Sequence, residues 1–298
     1  MLKQISLLIL CAVAIVLFAT PVHACTSAVV SGKVTLDGRP LLWKNRDTDF
    51  MRNHVDYVKG ERYDFIAVVN SANAYLKEAW MGTNSAGFAL MNTQSYNLVD
   101  VKGDEERGAA NGRVIYRALE VCATVEDFCH FLDTISKPSD IEANFGVIDA
   151  QGGAAMFEVD YYKYVMYDAN NPKDAPYGYI ARTNFSFAGK VNEGAGYVRY
   201  MEADQVLMKA SATGNITPQF IFNDLSRSFR NRMLDIDLRS GGYNRPQASG
   251  WFIDQDFIPR SSTSCSVVVQ GVKPGVKAEL TTMWTLLGYP PTGIAVPL

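Results

Sequence analysis

Cys25 is the residue whose type and position offer the clearest chemistry in this chain of 298 residues. It directly follows Val22-His23-Ala24, a small-x-small pattern typical of the end of a secretory signal. A cut at this point would leave Cys25 with a thiol of pKa about 8.5 and an α-amine of pKa about 7.7–8.0. Such an amine can take the proton of the thiol near neutral pH, so one residue would supply both the nucleophile and the base.

The beginning of the chain has the pattern of a secretory signal. Lys3 gives a positive start, an apolar run covers residues 7–18, and Pro21 interrupts it. The run is shorter than the roughly 20 residues that cross a bilayer. We therefore expect residues 1–24 to be removed, with no stable membrane insertion afterwards. Residues 25–298 are then expected to form one domain in the periplasm or outside the cell; an uncleaved membrane anchor is the alternative.

A lipoprotein modified at Cys25 is an interpretation from a different functional class. Against it, His23 fits poorly in a lipobox, and an alternating strand pattern begins directly at Thr26, where lipoproteins usually have a flexible polar tether. A lipid-anchored binding protein nevertheless stays open as an alternative to an enzyme.

Histidine is scarce, which excludes most familiar hydrolytic machineries. Of three histidines, one precedes the predicted cut, and only His54 and His130 follow it. Neither belongs to an HExxH motif, and the sequence has no GxSxG elbow and no Walker loop. The formal charge of −3 also argues against a nucleic-acid partner. We predict no metal, no cofactor and no nucleic-acid binding.

A charged strand end is predicted to lie beside Cys25. The turn Leu36-Asp37-Gly38-Arg39 separates the first strand from a second at residues 40–47, and such a hairpin brings the end of the second strand back to the start of the first. Lys44, Arg46 and Asp47 would then lie near Cys25. An aspartate there can accept hydrogen bonds from the α-amine, and a cation can lower the pKa of the thiol. A solvated charge cluster is the alternative.

These two features together resemble the cysteine N-terminal-nucleophile hydrolases. That group includes choloylglycine hydrolases, penicillin V acylases, the acyl-CoA:6-aminopenicillanic acid acyltransferases and acid ceramidases. The shared pattern is an initial Cys-Thr-Ser, a strand, a turn and a strand ending in x-Asn-x-Asp, here Asn45-Arg46-Asp47. The resemblance implies that Asp47 holds the amine. Lys44 stands in place of the family arginine but lacks its bidentate fork, and whether Lys44 or Arg46 replaces that arginine stays open; Arg46 is a candidate substrate-binding residue.

The resemblance also implies roles for two asparagines and one arginine. Asn92 ends a G-x-N-x-x-G-strand segment like the one that supplies an oxyanion residue in the family; an ordinary hairpin is the alternative. Asn184 follows a predicted strand and is a second candidate oxyanion donor, although it is also a strand-end turn residue and part of the sequon Asn184-Phe185-Ser186. Arg199, early in a predicted helix, is expected near the nucleophile; a surface arginine is the alternative.

The fold that the resemblance implies is α+β, a four-layer αββα sandwich with two antiparallel sheets. Helices are predicted at residues 113–122 and 125–135, the second with Thr124 as its N-cap. Residues 74–80 are predicted as a strand, and residues 81–87 as a turn. Cys122 and Cys129 flank the helix junction, where they form either a disulfide or two free thiols.

The predicted function is cleavage of carbon–nitrogen bonds in linear amides through a Cys25 thioester. The expected partner is a small acyl-amide, and the sequence is compatible with a homo-oligomer. An acyltransferase would use the same thioester with an amine in place of water, and the sequence leaves that alternative open.

Overall fold

Two antiparallel β-sheets stacked face to face form the centre of the fold. The computed structural model describes residues 24–99, 108–240 and 253–298, so the predicted signal lies outside the described residues except for Ala24. In these three segments, one sheet has six strands, the other has seven, and β11 pairs with β12 in a separate ribbon. The strands are β1 (Thr26–Val30), β2 (Leu41–Asp47), β3 (Asn53–Val58), β4 (Phe65–Asn70), β5 (Met81–Asn84), β6 (Ala89–Gln94), β7 (Ala143–Ile148), β8 (Ala154–Val159), β9 (Tyr164–Asp168), β10 (Tyr179–Arg182), β11 (Arg230–Asn231), β12 (Ile236–Asp237), β13 (Thr263–Gln270), β14 (Thr282–Leu287) and β15 (Val296–Pro297).

The first strand has an interior place in the six-stranded sheet, whose order is β10-β1-β2-β13-β14-β15. Both neighbours of β1 are antiparallel to it, and Thr26 at its start lies opposite Asn45 near the end of β2. Antiparallel pairing places the start of one strand beside the end of the next. Cys25, directly before β1, is therefore brought to Asp47 at the end of β2 and to Asn184, which follows β10.

Helices cover the outer face of each sheet. Thr124 caps the second helix in the predicted way: its hydroxyl accepts from Asp127 N, and the Asp127 carboxylate accepts from Thr124 N. None of the helices in the described segments is long and apolar enough to span a membrane. The helices are α1 (Asn111–Val121), α2 (Val125–Thr134), α3 (Tyr197–Ser211) and α4 (Pro218–Phe220), which continues as a π-helical turn (Ile221–Ser226).

Three apolar clusters hold the four layers together. One lies between the sheets, one between the seven-stranded sheet and helices α1 and α2, and one between the six-stranded sheet and helices α3 and α4. Representative buried members, in that order, are Val29, Leu42 and Met91; Ile115, Phe128 and Phe145; and Trp43, Leu207 and Leu225. The predicted αββα arrangement is confirmed.

The prediction for residues 74–84 is wrong, whereas residues 85–87 lie in the predicted turn, which a hydrogen bond from Gly87 N to Asn84 O closes. Ala74–Leu76 forms a 3₁₀ turn that ends at Lys77 in the left-handed region, and the following Met81–Asn84 is an interior strand. Gly82 in this strand is a residue type that, judged from the local sequence, is typical of a turn. In the sheet, however, a Cβ at this position would come within 2.5 Å of Ile66 O, so glycine permits close packing of the strands.

Phe128 is the centre of an aromatic cluster in the layer beneath α2. It is fully buried, and its ring centroid lies 5.1 Å from that of Phe157 and 5.9 Å from that of Phe145. Phe128→Ala is expected to lower the free energy of unfolding by about 3–5 kcal/mol because it leaves a cavity. Urea denaturation measures this, with the exposed Tyr162→Ala as the control; similar losses in both variants would contradict this account of the core.

Candidate active site

The thiol of Cys25 opens onto a cavity of about 420 Å³ at one end of the six-stranded sheet. Cys25 is 7% exposed and lies two residues before Ser27 in an extended chain, on the side of β1 that carries Val29 into the inter-sheet core. Its Sγ contacts Asp47 O at 4.0 Å. The strand pairing thus directs a nearly buried thiol into a partly open cavity that is large enough for a small molecule.

The backbone nitrogen of Cys25 is held by Asn184. Cys25 N donates to Asn184 Oδ1 at 2.9 Å, and Asn184 Nδ2 donates to Gln94 O at 2.8 Å. Asn184 was predicted as an oxyanion donor. Its carbonyl oxygen accepts from the Cys25 nitrogen and its amide nitrogen donates to Gln94 O, so in this structure Asn184 positions the backbone of Cys25, and its oxyanion role stays a prediction.

Arg199 supports this arrangement through Asn184 and the backbone of Cys25. The first turn of α3 carries this fully buried side chain, whose Nη2 donates to Asn184 Oδ1 at 2.8 Å and whose Nη1 donates to Cys25 O at 2.7 Å and Thr26 Oγ1 at 2.8 Å. Burial, together with the nearby Arg260, lowers the pKa of Arg199 to about 10. The structure thus brings Arg199 to the nucleophile, where it positions the backbone and the asparagine.

Asp47 is neutralised by an arginine that the sequence interpretation did not identify. Its Oδ2 accepts from Arg260 Nε at 3.0 Å and from Arg260 Nη2 at 2.8 Å, and its Oδ1 accepts from Thr263 Oγ1 at 2.6 Å. Burial raises the pKa of Asp47, while Arg260 acts in the opposite direction. In the uncut chain Asn184, and not Asp47, accepts from the Cys25 nitrogen, so the contact between Asp47 and a free amine stays a prediction.

Arg260 also contacts the residue before the nucleophile. Its Nη2 donates to Ala24 O at 3.1 Å, so one guanidinium binds both the Asp47 carboxylate and the carbonyl of the bond that the predicted cut would break. A fully buried Asp47 requires a compensating cation. That requirement was the available signal for an arginine near the start of β13.

Lys44 lines the cavity that holds the Cys25 thiol. Its Nζ donates to Trp80 O at 3.1 Å and to Asn92 Oδ1 at 2.9 Å. The pKa of Lys44 is lowered to about 8, chiefly by burial; the charge of Cys25 acts in the opposite direction, and the nearby Arg46 acts in the same direction as burial. Lys44 is thus placed to stabilise the thiolate and to orient Asn92.

Asn92 presents its amide nitrogen to the cavity. Lys44 occupies its carbonyl oxygen, and within the described residues no protein group accepts from Asn92 Nδ2. Asn92 and Cys25 line the same space, as do Lys44 and Arg46. Asn92 can therefore donate to an oxyanion, which is the role that the sequence predicted for it.

Of the remaining cysteines, Cys265 lies opposite Arg46 in the pairing of β13 with β2, beside the site, whereas Cys122 and Cys129 lie at the helix junction away from it. Of the two alternatives for Cys122 and Cys129, the structure has free thiols; Cys129 Sγ contacts Met166 Sδ at 3.9 Å. Cys265 is buried in β13. In the described segments, no group of three or more His, Cys, Asp or Glu side chains is arranged to hold a metal ion.

Comparison with known proteins identifies the family and supports the fold. The family model for acyl-coenzyme A:6-aminopenicillanic acid acyl-transferase matches residues 35–221, more than half of the chain. No curated protein sequence matches the chain significantly.

Two solved structures share the fold. An N-acylethanolamine-hydrolyzing acid amidase ortholog from Caenorhabditis elegans is 14% identical with a TM-score of 0.53, covering 87% of this chain and 99% of its own. A mutant conjugated bile acid hydrolase from Clostridium perfringens is 13% identical with a TM-score of 0.50, covering 92% of each chain.

The buried Lys44 makes a prediction about stability and pH. Its pKa is about 8 in the folded chain and about 10.4 when unfolded, so between these values the unfolded state binds more protons. The free energy of unfolding of the wild type should therefore rise, relative to Lys44→Met, by roughly 1–2 kcal/mol from pH 7.5 to 9.5. Urea denaturation at several pH values measures this difference.

The exposed Lys173→Met is the control for that series, and its difference from the wild type should not change with pH. A Lys44→Met difference that stays flat, or that changes in the opposite direction, would contradict a lowered pKa for Lys44.

Proposed function

Because the chain belongs to the acyl-coenzyme A:6-aminopenicillanic acid acyl-transferase family, within the cysteine N-terminal-nucleophile hydrolases, we propose that it is an exported amidase that cleaves linear amides of small molecules through Cys25. The observation that carries this proposal is the contact between Cys25 N and Asn184 Oδ1 beside a thiol that opens into a cavity. Asn184 thus fixes the nitrogen of Cys25 while the thiol of the same residue faces the cavity.

Removal of residues 1–24 is the activating step in this proposal. The lone pair of a peptide nitrogen is delocalised into the carbonyl, so Cys25 N in the uncut chain is not a base. After the cut it becomes an amine with a pKa near neutrality. Asn184 Oδ1 then accepts one amine N–H at the position where it now accepts the peptide N–H. That hydrogen bond orients the nitrogen so that its lone pair can reach the thiol.

The reaction begins with transfer of the Cys25 thiol proton to the α-amine, directly or through one water. The resulting thiolate, stabilised by the Lys44 ammonium, attacks the amide carbonyl and forms a carbon–sulfur bond. The carbonyl π electrons move onto oxygen, where Asn92 Nδ2 donates to the oxyanion. Lys44 contributes here as well, because its hydrogen bond to Asn92 Oδ1 directs the amide nitrogen toward the cavity.

The second half of the reaction regenerates the enzyme. The tetrahedral intermediate collapses, the carbon–nitrogen bond breaks, and the leaving nitrogen takes the proton from the α-ammonium. The neutral α-amine then removes a proton from water as the water attacks the thioester. Collapse of this second intermediate breaks the carbon–sulfur bond and releases the carboxylic acid, and the thiolate regains its proton from the α-ammonium. No proton is gained or lost by Cys25 over the cycle.

An acyltransferase is the second candidate, favoured by the description of the matching family model. An amine would then replace water in the attack on the thioester. Adding hydroxylamine to a reaction in progress separates the two: a transferase forms the hydroxamate at the expense of the free acid, whereas a strict hydrolase releases the acid alone.

The nucleophile is tested with the chain purified after export and cleavage. Intact mass should show a free N-terminal Cys25, and Cys25→Ala should lower amide hydrolysis by at least about 10³-fold while leaving the fold unchanged by circular dichroism. A precursor made resistant to cleavage at Ala24 should be inactive because its nitrogen cannot act as base. A diacylglycerol adduct on Cys25, or full activity of the uncut precursor, would overturn the proposal.

The oxyanion role of Asn92 is tested with a matched pair of variants. Asn92→Ala is expected to lower kcat by about 10²–10³-fold with little change in KM, because the donor acts on charge that develops during the reaction. Asn73 lines the same cavity, and Asn73→Ala should stay within about threefold of the wild type. Equal losses in both variants, or a change confined to KM in Asn92→Ala, would contradict this role.

A further inference from the structure

Two cations lie side by side on the cavity wall. Lys44 and Arg46 are two residues apart on β2, so both side chains leave the strand on the same side, and both are buried and line the cavity that holds Cys25. Buried charges are costly unless another charge or a ligand compensates them. The charges around this cavity therefore indicate what the cavity is built to receive.

Among the described residues, no carboxylate lies within ion-pair distance of Lys44 or Arg46; Glu78 and Asp47 act on them only from farther away. The Asp47 carboxylate is bonded to Arg260, and the Glu78 carboxylate pairs with Arg113 at 3.5 Å. Lys44 donates to a carbonyl and an amide oxygen, which are neutral. A Cys25 thiolate offsets one positive charge, and one cation is left over.

Arg46 is the better placed of the two for a ligand. Its Nη2 donates to Asn70 Oδ1 at 2.8 Å, its Nη1 donates to Asn53 Oδ1, and its guanidinium carbon lies 4.6 Å from the centre of the Trp80 ring. These neutral contacts fix the plane of the guanidinium. Within the described residues no carboxylate lies at ion-pair distance from Arg46, and two of its five N–H groups are occupied.

We propose that Arg46 binds a carboxylate on the substrate, so that the amidase selects linear amides that carry a negative charge near the scissile bond. This inference rests on the proposed function and narrows its substrate class. A guanidinium whose plane is fixed and whose remaining N–H groups are free can donate two parallel hydrogen bonds to the two oxygens of a carboxylate. Lys44 cannot substitute for it, because its ammonium is committed to Asn92 and to the thiolate.

A neutral analogue would bind poorly for a definite reason. It would seal Arg46 from water without supplying an acceptor, so the site would lose both a charge-assisted hydrogen bond and the hydration of the guanidinium. The preference for a charged over a neutral substrate therefore arises at Arg46 itself. It should depend little on the charges at the cavity rim, such as that of the half-exposed Arg113.

The experiment uses the cleaved enzyme and two matched substrate pairs. In the first pair, N-octanoylglycine carries a carboxylate on the amine side of the amide, and N-octanoylethanolamine is its neutral counterpart. In the second pair, glutaric acid mono-octylamide carries a carboxylate on the acyl side of the amide, and N-octylbutanamide is its neutral counterpart. The wild type is expected to prefer the charged member of at least one pair by about tenfold or more in kcat/KM.

Arg46→Met should abolish that preference: kcat/KM falls for the charged substrate, and it does not fall for the neutral substrate, whose binding no longer desolvates a guanidinium. Arg46→Lys retains the positive charge but cannot make the bidentate contact, so it should keep part of the preference. This second variant tests the proposal even if Arg46→Met folds poorly. The control is Arg113→Met, which removes a cation from the same cavity where it already has Glu78 as a partner. This control should leave the preference intact.

The outcomes separate the two proposals. Equal turnover of both members in both pairs, or equal loss on both substrates in Arg46→Met, overturns the inference while the amidase stands. A loss of preference in Arg113→Met as large as in Arg46→Met also overturns it, because the rim charge would then be responsible. If no amide is hydrolysed, the proposed function fails. Calorimetric binding of each pair to Cys25→Ala then decides the anion preference without any turnover.

Discussion

The antiparallel pairing of β1 with β2 and β10 is the constraint on which the site depends. It places the start of one strand against the ends of two others, so residues far apart in sequence meet at Cys25. The alternation of side chains along β1 then decides which face the thiol occupies. A shift of the register by one residue would turn Cys25 toward the helices and Thr26 toward the cavity. The apolar cluster around Val29 and Leu42 fixes that register, because a shifted strand would carry its apolar side chains out of the inter-sheet core.

Charge is distributed over two faces of the same sheet. On the helix side, Arg260 compensates Asp47, and Arg199 binds neutral oxygens around the nucleophile. On the cavity side, Lys44 and Arg46 bind neutral oxygens as well. The first face contains the groups that hold the backbone of Cys25 in place, and the second contains the groups that line the cavity beside its thiol. This division explains how a short strand end carries many charges without bringing them all into the reaction.

Local patterns predicted the parts of this site that lie close in sequence. The hairpin to Asp47 is short, so its turn and its alternation were enough to place Lys44 and Arg46 beside Cys25. Arg260 was missed because its partner is 213 residues away and no local pattern marks it. The role of Asn184 depended on which way its amide faces, and that orientation is set by Gln94 and Arg199 through long-range contacts. In the same way, Met81–Asn84 has the composition of a turn and becomes a strand only because its neighbours in the sheet accommodate it.

The contact between Arg260 and Ala24 bears on the order of events in the life of the chain. Ala24 is 1% exposed, and both sides of its bond to Cys25 are engaged: the carbonyl with Arg260 and the nitrogen with Asn184. A peptidase needs its substrate in an accessible, extended form, which the folded chain does not offer at this bond. A cut before Cys25 by an external enzyme therefore belongs to the interval before the sheet closes over Ala24. In the proposed activation, export, cleavage and folding are therefore in competition, and a chain that folds first keeps the Cys25 nitrogen in a peptide bond.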